Sequence, residues 1–81
     1  MISLEVKVKL YTILKKYGEG KLDKDNNISI PEHLTLQDLI SHLNIPAKLG
    51  KICLVNGHPR EIEDTLSEGD EVKIFSLLGG G

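Results

Sequence analysis

The 81-residue sequence has a net charge of −2 and is 40% hydrophobic, with one Phe, two Tyr and no Trp. A chain of this length forms one domain around one core, here of Leu, Ile and Val, and its interspersed acidic and basic residues disfavour nucleic acid as a partner. Because neither a secretion signal nor an apolar run of membrane-spanning length is present, the sequence predicts a cytoplasmic protein without a membrane partner.

The first third of the chain predicts two strands. Apolar residues occupy every second position of residues 2–10, which is the alternation of a half-buried strand. The apolar spacing in residues 11–17 predicts one or two helical turns, which end at Gly18. A polar turn over residues 18–27 then leads to a short strand, residues 28–30, stopped by Pro31. We expect these two strands to pair.

The middle of the chain predicts one amphipathic helix. Thr35 is a good N-cap, and Asp38 places a carboxylate near the positive end of the helix dipole, as a weaker relative of the capping box. One face of the helix carries the apolar residues Leu36, Leu39, Ile40 and Leu43. The helix should end around Asn44, because Ile45-Pro46 follows.

The last third predicts two more strands separated by turns. Residues 52–55 form a continuous apolar run, which predicts a fully buried strand, and Asn56-Gly57 favours a tight turn with positive φ. A second turn at residues 68–70 leads into a last strand, residues 71–75, with Val72 and Ile74 on one face.

This order of elements predicts an α+β fold of the β-grasp type. A helix of two to three turns cannot bury its apolar stripe alone, so it must lie across a sheet made by the strands before and after it. We therefore expect a mixed sheet of four or five strands packed on one main helix. Residues 1–76 form the predicted domain, and residues 77–81 a flexible C-terminal glycine tail.

The side chains do not indicate an enzyme or a metal site. His33, His42 and His58 lie far apart in sequence, with no Cys or carboxylate at metal-ligand spacing. Asp23 and Asp25 share a turn, but two carboxylates with no further ligands bind cations weakly. We therefore predict no metal, no bound cofactor and no catalytic side chain, and read the histidines as surface or structural residues.

Two further features have a structural reading that we prefer. Cys53 lies in an apolar run, which favours a buried packing residue over a reactive thiol. A second feature is an acidic cluster, which predicts a solvated face, with contact to a basic partner left open as the alternative. The cluster comprises Glu61, Glu63, Asp64, Glu68, Asp70 and Glu71.

The end of the sequence has no side chains over its last three residues. Such a segment forms neither a helix nor a stable strand, and it extends about 10 Å at 3.3–3.6 Å per residue. A strip no wider than the backbone can enter a narrow tunnel, where the carboxylate of Gly81 could attack the α-phosphate of ATP. A floppy end or a cloning remnant is the competing interpretation.

One combination of motifs is more specific than any of its parts. Val55-Asn56-Gly57, the stretch Glu-Gly-Asp-Glu-Val at residues 68–72, Phe75 and the terminal Gly80-Gly81 occur at the spacing of one family. The chain resembles the MoaD/ThiS sulfur carriers, prokaryotic relatives of ubiquitin, over nearly its whole length. The resemblance implies that a ubiquitin-activating-type enzyme, using ATP and magnesium, adenylates Gly81 and converts it to a thiocarboxylate.

The resemblance also implies roles for the residues before the terminus. Gly80 would be the second residue of the required pair, and Phe75 the aromatic residue that closes the last strand and contacts the partner. Leu77 and Leu78, read as an exposed partner patch with core packing as the alternative, lead through Gly79 to the diglycine. Many MoaD members have two prolines after the aromatic residue, where this chain has Ser76-Leu77, so its tail should be more mobile.

Three functions are compatible with these observations. The first is a non-enzymatic sulfur carrier, as the small subunit of molybdopterin synthase or, alternatively, as the carrier for the thiazole of thiamin. Its partners would be the activating enzyme and a sulfur acceptor, either the molybdopterin synthase large subunit or thiazole synthase. The second is a ubiquitin-like modifier conjugated to lysines, and the third is a plain β-grasp binding module.

Overall fold

The computed structural model describes residues 3–46 and 51–76. Its strands are β1 (Ser3–Leu10), β2 (Asn27–Pro31), β3 (Lys51–Val55), β4 (His58–Pro59) and β5 (Glu71–Ser76), and its helices are a 3₁₀ helix (Thr12–Gly18) and α1 (Leu36–His42). The strands form one sheet in the order β2-β1-β5-β3-β4. This sheet and its helix confirm the predicted β-grasp fold.

The two strands that come first and last in the described chain pair in the middle of the sheet. β1 and β5 run parallel, whereas the pairs β1–β2, β3–β5 and β3–β4 are antiparallel. The expected pairing of the first two strands is therefore confirmed, and the sheet is mixed. One face of it packs against α1, because Val6, Val8, Val72 and Ile74 belong to the same buried cluster as Leu36 and Leu39.

Helix α1 begins with a complete capping box. The Thr35 hydroxyl accepts a hydrogen bond from the Asp38 N–H (3.1 Å), and the Asp38 carboxylate accepts one from the Thr35 N–H (3.3 Å). The two helical residues before Asp38 donate their N–H groups to backbone carbonyls. Leu36 donates to the carbonyl of Asp64 (3.0 Å), and Gln37 donates to the carbonyl of Ile62 (2.9 Å). The capping is thus stronger than predicted, since all three amides of the first turn have acceptors.

The helix ends in a Schellman motif. Asn44 has a φ of 60° and its N–H donates to the Ser41 carbonyl (3.0 Å), while the Ile45 N–H donates to the Ile40 carbonyl (3.3 Å). Ile40 and Ile45 are both buried, as this motif favours. The predicted end of the helix near Asn44 is confirmed to within two residues.

The predicted helical turns after β1 form the 3₁₀ helix. It extends one residue beyond the predicted range and includes Gly18, and Leu14 from its middle is fully buried in the core. The loop that follows is attached to the far end of α1, because the Lys21 ammonium donates a hydrogen bond to the His42 carbonyl (2.6 Å). Through the buried Leu14, the 3₁₀ helix covers the core beside the ends of β1 and β5.

The prediction of a fully buried strand at residues 52–55 is wrong. Cys53 and Val55 are buried, but Ile52 is 46% exposed and Leu54 is only partly buried. Successive side chains of a strand point to opposite faces, and none of the described helices covers the face opposite α1. Cys53 is buried, as predicted.

Both predicted turns are confirmed, and one side chain links them. Asn56 and Gly57 have φ values of 54° and 86°, and they connect β3 to β4 as a two-residue hairpin. The Asn56 amide donates to the Asp70 carboxylate (2.9 Å) and accepts from the Glu71 N–H (3.0 Å). Asp70 also accepts from the Ser67 N–H (2.8 Å).

These bonds correct the prediction of a solvated acidic face. Asp70 is 9% exposed, so it is a structural residue between the two turns. Asp64 accepts a hydrogen bond from the Glu61 N–H (3.1 Å) and lies 3.4 Å from Arg60. Glu68 accepts one from the Glu5 N–H (3.0 Å). Only part of the cluster is therefore available to solvent or to a partner.

Candidate functional site

The face of the sheet opposite α1, called the open face here, carries the predicted site residue Phe75. The inward neighbours Val72 and Ile74 are fully buried, and the alternation of β5 places Phe75 on the other side. Its ring stacks on Tyr11, with the ring centroids 4.6 Å apart and the planes 6° from parallel. Tyr11 directly follows β1, so the stack joins the ends of both central strands.

Aliphatic side chains extend this stack across the sheet. Ile52 is directly opposite Phe75 in the β3–β5 register, and Leu54 lies two residues further along the same face. Both keep solvent-accessible surface. Tyr11, Ile52, Leu54 and Phe75 thus form a contiguous, partly exposed group, which we call the aromatic patch. Apolar groups of this kind mark interaction surfaces.

Lysines flank the aromatic patch on the same face. Lys73 of β5 is paired with Leu54 of β3 on one side and with Lys9 of β1 on the other. Two residues earlier in the two central strands, Lys7 of β1 is paired with Glu71 of β5. The Lys9 ammonium lies 3.4 Å from the Glu71 carboxylate. Lys7, Lys9 and Lys73 are the lysine row, and they make the centre of the open face basic in a chain with a net negative charge.

The other predicted site residues lie outside the described part of the chain. Leu77, Leu78, Gly79, Gly80 and Gly81 follow β5 directly, and their roles and the tail boundary stay predictions. Because β5 ends at Ser76, the path to Gly81 starts one residue after Phe75. Any partner that holds the aromatic patch therefore has the beginning of the tail within reach.

Sequence reasoning missed every member of the open face except Phe75. Tyr11, Ile52, Leu54 and the lysine row were not expected to act together, although Tyr11 continues the alternation of the lysines in β1. That alternation was the available signal for Tyr11 and Lys9. Their proximity to Ile52 and Lys73 depends on the strand order, which the sequence pattern does not contain.

The remaining candidates are separate from this face and from one another. His33, His42 and His58 are exposed, and Asp23 uses its carboxylate to accept from the N–H groups of Asp25 (2.8 Å) and Asn27 (2.9 Å). Within residues 3–46 and 51–76, no three His, Cys, Asp or Glu side chains are grouped to hold a metal. No helix in the same ranges is long and apolar enough to span a membrane.

The fold and the exposed sheet face define a ubiquitin-like β-grasp protein. Its sequence agrees with one family within that class over residues 8–81, from the middle of β1 to the last glycine. The chain belongs to the ThiS family. The predicted resemblance to the MoaD/ThiS proteins is thereby confirmed, and Phe75, Gly80 and Gly81 lie inside the matched region.

Solved structures agree with this fold. The small archaeal modifier protein 1 of Haloferax volcanii superposes with a TM-score of 0.65 at 15% identity, over 89% of this chain and 95% of that one. A putative molybdopterin converting factor subunit 1 from Pyrococcus furiosus gives 0.65 at 20% identity, over 90% and 97%.

A third structure contains two proteins. In the complex of subunits 1 and 2 of the molybdopterin-converting factor from Helicobacter pylori, the matching chain gives a TM-score of 0.55 at 19% identity, over 96% of this chain and 100% of that one. At these identities the structures establish a common fold. A search of curated proteins gave no match.

Proposed function

We propose that this chain is a sulfur carrier whose reactive group is the carboxylate of Gly81. A ubiquitin-activating-type enzyme holds ATP and magnesium and supplies the catalytic groups, so the carrier itself is a co-substrate and not an enzyme. The single observation that carries the proposal is the family match, which covers residues 8–81 and therefore includes Gly80 and Gly81. The position of Phe75 beside the start of the tail supports it.

The chemistry has two steps at Gly81. A carboxylate oxygen attacks the α-phosphorus of ATP, the bond from that phosphorus to pyrophosphate breaks, and an acyl-adenylate forms. Hydrosulfide then attacks the acyl carbon, AMP leaves with the electrons of the carbon–oxygen bond, and a proton goes to solvent. The product is a thiocarboxylate, and no oxidant or reductant is consumed. In delivery, the thiocarboxylate sulfur bonds to an electrophilic carbon of the acceptor enzyme's substrate, displaces that carbon's leaving group and forms a thioester. Water then breaks the bond between the acyl carbon and sulfur, which leaves the sulfur on the substrate and restores the Gly81 carboxylate.

The acceptor that we propose is the large subunit of a molybdopterin synthase, with this chain as the small subunit. Two of the structures with this fold, those from Pyrococcus furiosus and Helicobacter pylori, are named as molybdopterin converting factor subunits. Thiazole synthase in thiamin formation is the alternative acceptor, because the matched profile is that of the ThiS family. Both acceptors use the same thiocarboxylate.

Intact-protein mass spectrometry tests the proposal. The purified chain is incubated with each ubiquitin-activating-type enzyme of the source organism, ATP, magnesium and sulfide. We expect a mass gain equal to the difference between a sulfur and an oxygen atom. The matched control lacks Gly80 and Gly81 and should stay unchanged, with the same circular dichroism spectrum as the full chain. An unchanged mass of the full chain with every enzyme would contradict the proposal.

The acceptor is assigned in a second experiment. The thiocarboxylate form, prepared in bulk, is mixed with purified molybdopterin synthase large subunit and, separately, with thiazole synthase, each with its own substrate. Conversion of the thiocarboxylate back to carboxylate in only one of the two mixtures identifies the enzyme in that mixture as the sulfur acceptor. Conversion with thiazole synthase alone would overturn the molybdopterin assignment and leave the carrier chemistry intact.

A second candidate function is conjugation to lysines of other proteins. It is favoured by the structural likeness to a protein named as a small archaeal modifier. In that case the Lys ε-amine, and not sulfide, attacks the acyl-adenylate, AMP leaves and an isopeptide bond forms. Tagged chain expressed in its source cells would then yield Gly81 joined to lysine in tryptic peptides. Thiocarboxylate without such peptides would exclude it.

A further inference from the structure

The hairpin turn between β3 and β4 contains the sequence's one Asn-Gly pair. The other asparagines, Asn26, Asn27 and Asn44, precede Asn or Ile, whose side chains hinder attack on the preceding amide. Glycine has no Cβ, so its nitrogen can approach the side-chain carbon of the residue before it. In unfolded peptides, Asn-Gly is for this reason the pair that loses its side-chain amide fastest.

This loss, deamidation, needs water and no enzyme. The Gly57 nitrogen gives up its proton and bonds to Cγ of Asn56, the bond from Cγ to Nδ2 breaks, and Nδ2 leaves as ammonia with the electron pair and that proton. Water then opens the cyclic imide and returns a proton to the Gly57 nitrogen. If the bond from Cγ to that nitrogen breaks, aspartate forms. If the main-chain carbonyl bond breaks instead, isoaspartate forms, in which the backbone runs through Cγ.

The fold exposes this pair to water but holds the reacting side chain. Asn56 and Gly57 are exposed, and a Cβ added to Gly57 would meet no residue beyond its chain neighbours within 4 Å. Both polar atoms of the Asn56 side chain are engaged, because Nδ2 donates to the Asp70 carboxylate (2.9 Å) and Oδ1 accepts from the Glu71 N–H (3.0 Å). The Asn56 N–H also donates to the Glu71 carbonyl (2.9 Å). Access of water therefore does not limit the reaction, whereas movement of the side chain does.

The geometry of the turn opposes ring closure as well. The φ values of 54° at Asn56 and 86° at Gly57, in a two-residue loop, are those of a type I′ turn. Ring closure needs a ψ at Asn56 outside the left-handed region, and it needs the side chain to rotate over the Gly57 nitrogen. Both changes break the bonds to Asp70 and Glu71. Deamidation must therefore pass through a state in which the two turns have separated.

The product cannot restore the contact that was lost. Deamidation replaces Nδ2, the donor to Asp70, with a carboxylate oxygen that has no proton to donate. Asp70 is only 9% exposed, so two carboxylates would face each other at hydrogen-bond distance with little water between them. Isoaspartate adds one atom to the backbone of a two-residue turn and disturbs the pairing of Val55 with His58.

From these contacts we propose that Asn56 is a deamidation site, which its hydrogen bond to Asp70 protects in the folded chain and which reacts when the two turns separate. Because the reaction is irreversible, its product accumulates in chains that have been opened and marks them with a turn that no longer closes properly. The inference is independent of the chemistry at Gly81.

The first test compares folded and unfolded parent chain in mildly alkaline buffer, without and with guanidinium chloride. Peptide mapping by mass spectrometry follows the gain that accompanies exchange of NH₂ for OH, and Asn26, Asn27 and Asn44 are internal controls. We expect Asn56 to react fastest in denaturant and at least about 10-fold more slowly in the folded chain, because opening an ordered segment costs free energy. Equal rates in the two states would overturn the inference.

The second test separates the bond to Asp70 from general stability. In Asp70→Ala, deamidation of Asn56 without denaturant should be about 10- to 30-fold faster than in the parent, as expected when a hydrogen bond to a charged group is lost. The control is Ile40→Ala, a core variant in α1 that takes no part in the turns and should stay within about 2-fold of the parent. Equal acceleration in both variants would show that the fold as a whole, and not this bond, protects Asn56.

Circular dichroism checks that each variant is folded. Asp70→Asn, which can keep one of its two bonds, should give an intermediate rate, and it replaces Asp70→Ala if that chain does not fold. The product is tested with Asn56→Asp, because Asp-Gly suits the same type of turn and only the charge and the donor change. Its folded-to-unfolded ratio in urea should be about 10-fold lower than that of the parent. An unchanged ratio would contradict the expected effect of deamidation.

Discussion

The two faces of the sheet are built from the same strands but contain opposite chemistry. Toward α1, Val72 and Ile74 are fully buried, whereas on the open face Lys73 and Phe75 of the same strand keep contact with solvent. The inner face thus stabilises the fold, and the open face is available for recognition. Because the alternation of a strand separates the two sets of residues, either face can change with little effect on the other.

The largest effect on the free energy of unfolding is expected when two isoleucines, one on each face, are replaced in separate variants. Ile74→Ala removes buried methylene groups from the core and should lower the free energy of unfolding by about 3 kcal/mol. Ile52→Ala, at 46% exposure, should cost less than about 1 kcal/mol. Urea denaturation of both variants measures the difference. Equal losses would show that the open face is part of the core after all.

The buried carboxylate of Asp70 is an exception to the apolar interior and sharpens the comparison. Asp70→Ala removes the acceptor of the Asn56 amide and of the Ser67 N–H, and should destabilise the fold by about 2 kcal/mol. Asp70→Asn is the control, because its remaining oxygen can keep one of the two bonds and the loss should be smaller. A stability unchanged in Asp70→Ala would mean that the turns do not need this link.

The stacked rings test whether the open face also supports the fold. A double-mutant cycle with Tyr11→Ala and Phe75→Ala should give a coupling free energy of about 1 kcal/mol in urea denaturation. This value is smaller than that of a core contact but not zero. Additive losses in the double variant would indicate that the two rings do not stabilise each other in solution.

The smallest effect is expected for the ion pair between Lys9 and Glu71. Both side chains are more than a third exposed, so Lys9→Ala should change the free energy of unfolding by less than about 0.5 kcal/mol. Repeating the denaturation at high salt should reduce even this difference. A larger, salt-sensitive loss would mean that the lysine row contributes to stability as well as to charge.

Local patterns in the sequence predicted most of the elements but not their neighbours. Alternation identified β1, the spacing around Thr35 identified α1, and Asn56-Gly57 identified the hairpin, since each signal lies within a few residues. Local patterns of this kind could not predict that Ile52 is exposed. A continuous apolar run does not reveal which side of the sheet lacks a cover.

The candidate site was predictable only in part, for the same reason. Phe75 was found because a family motif includes it, and Gly80 and Gly81 because the sequence ends there without side chains. The contribution of Lys9, Lys73 and Tyr11 requires the parallel pairing of β1 with β5. Asp70 was counted with the acidic cluster because its hydrogen-bond partner, Asn56, is brought to it only by the fold.

The central place of β5 has a consequence for the synthesis of the protein. This strand is the last of the described elements to leave the ribosome, yet β1 and β3 both pair with it. A nascent chain without β5 would leave both neighbours with unpaired backbone groups and a divided core. Folding therefore waits until β5 has been synthesised, and only chains elongated through Ser76 can display both rings of the stack to another protein.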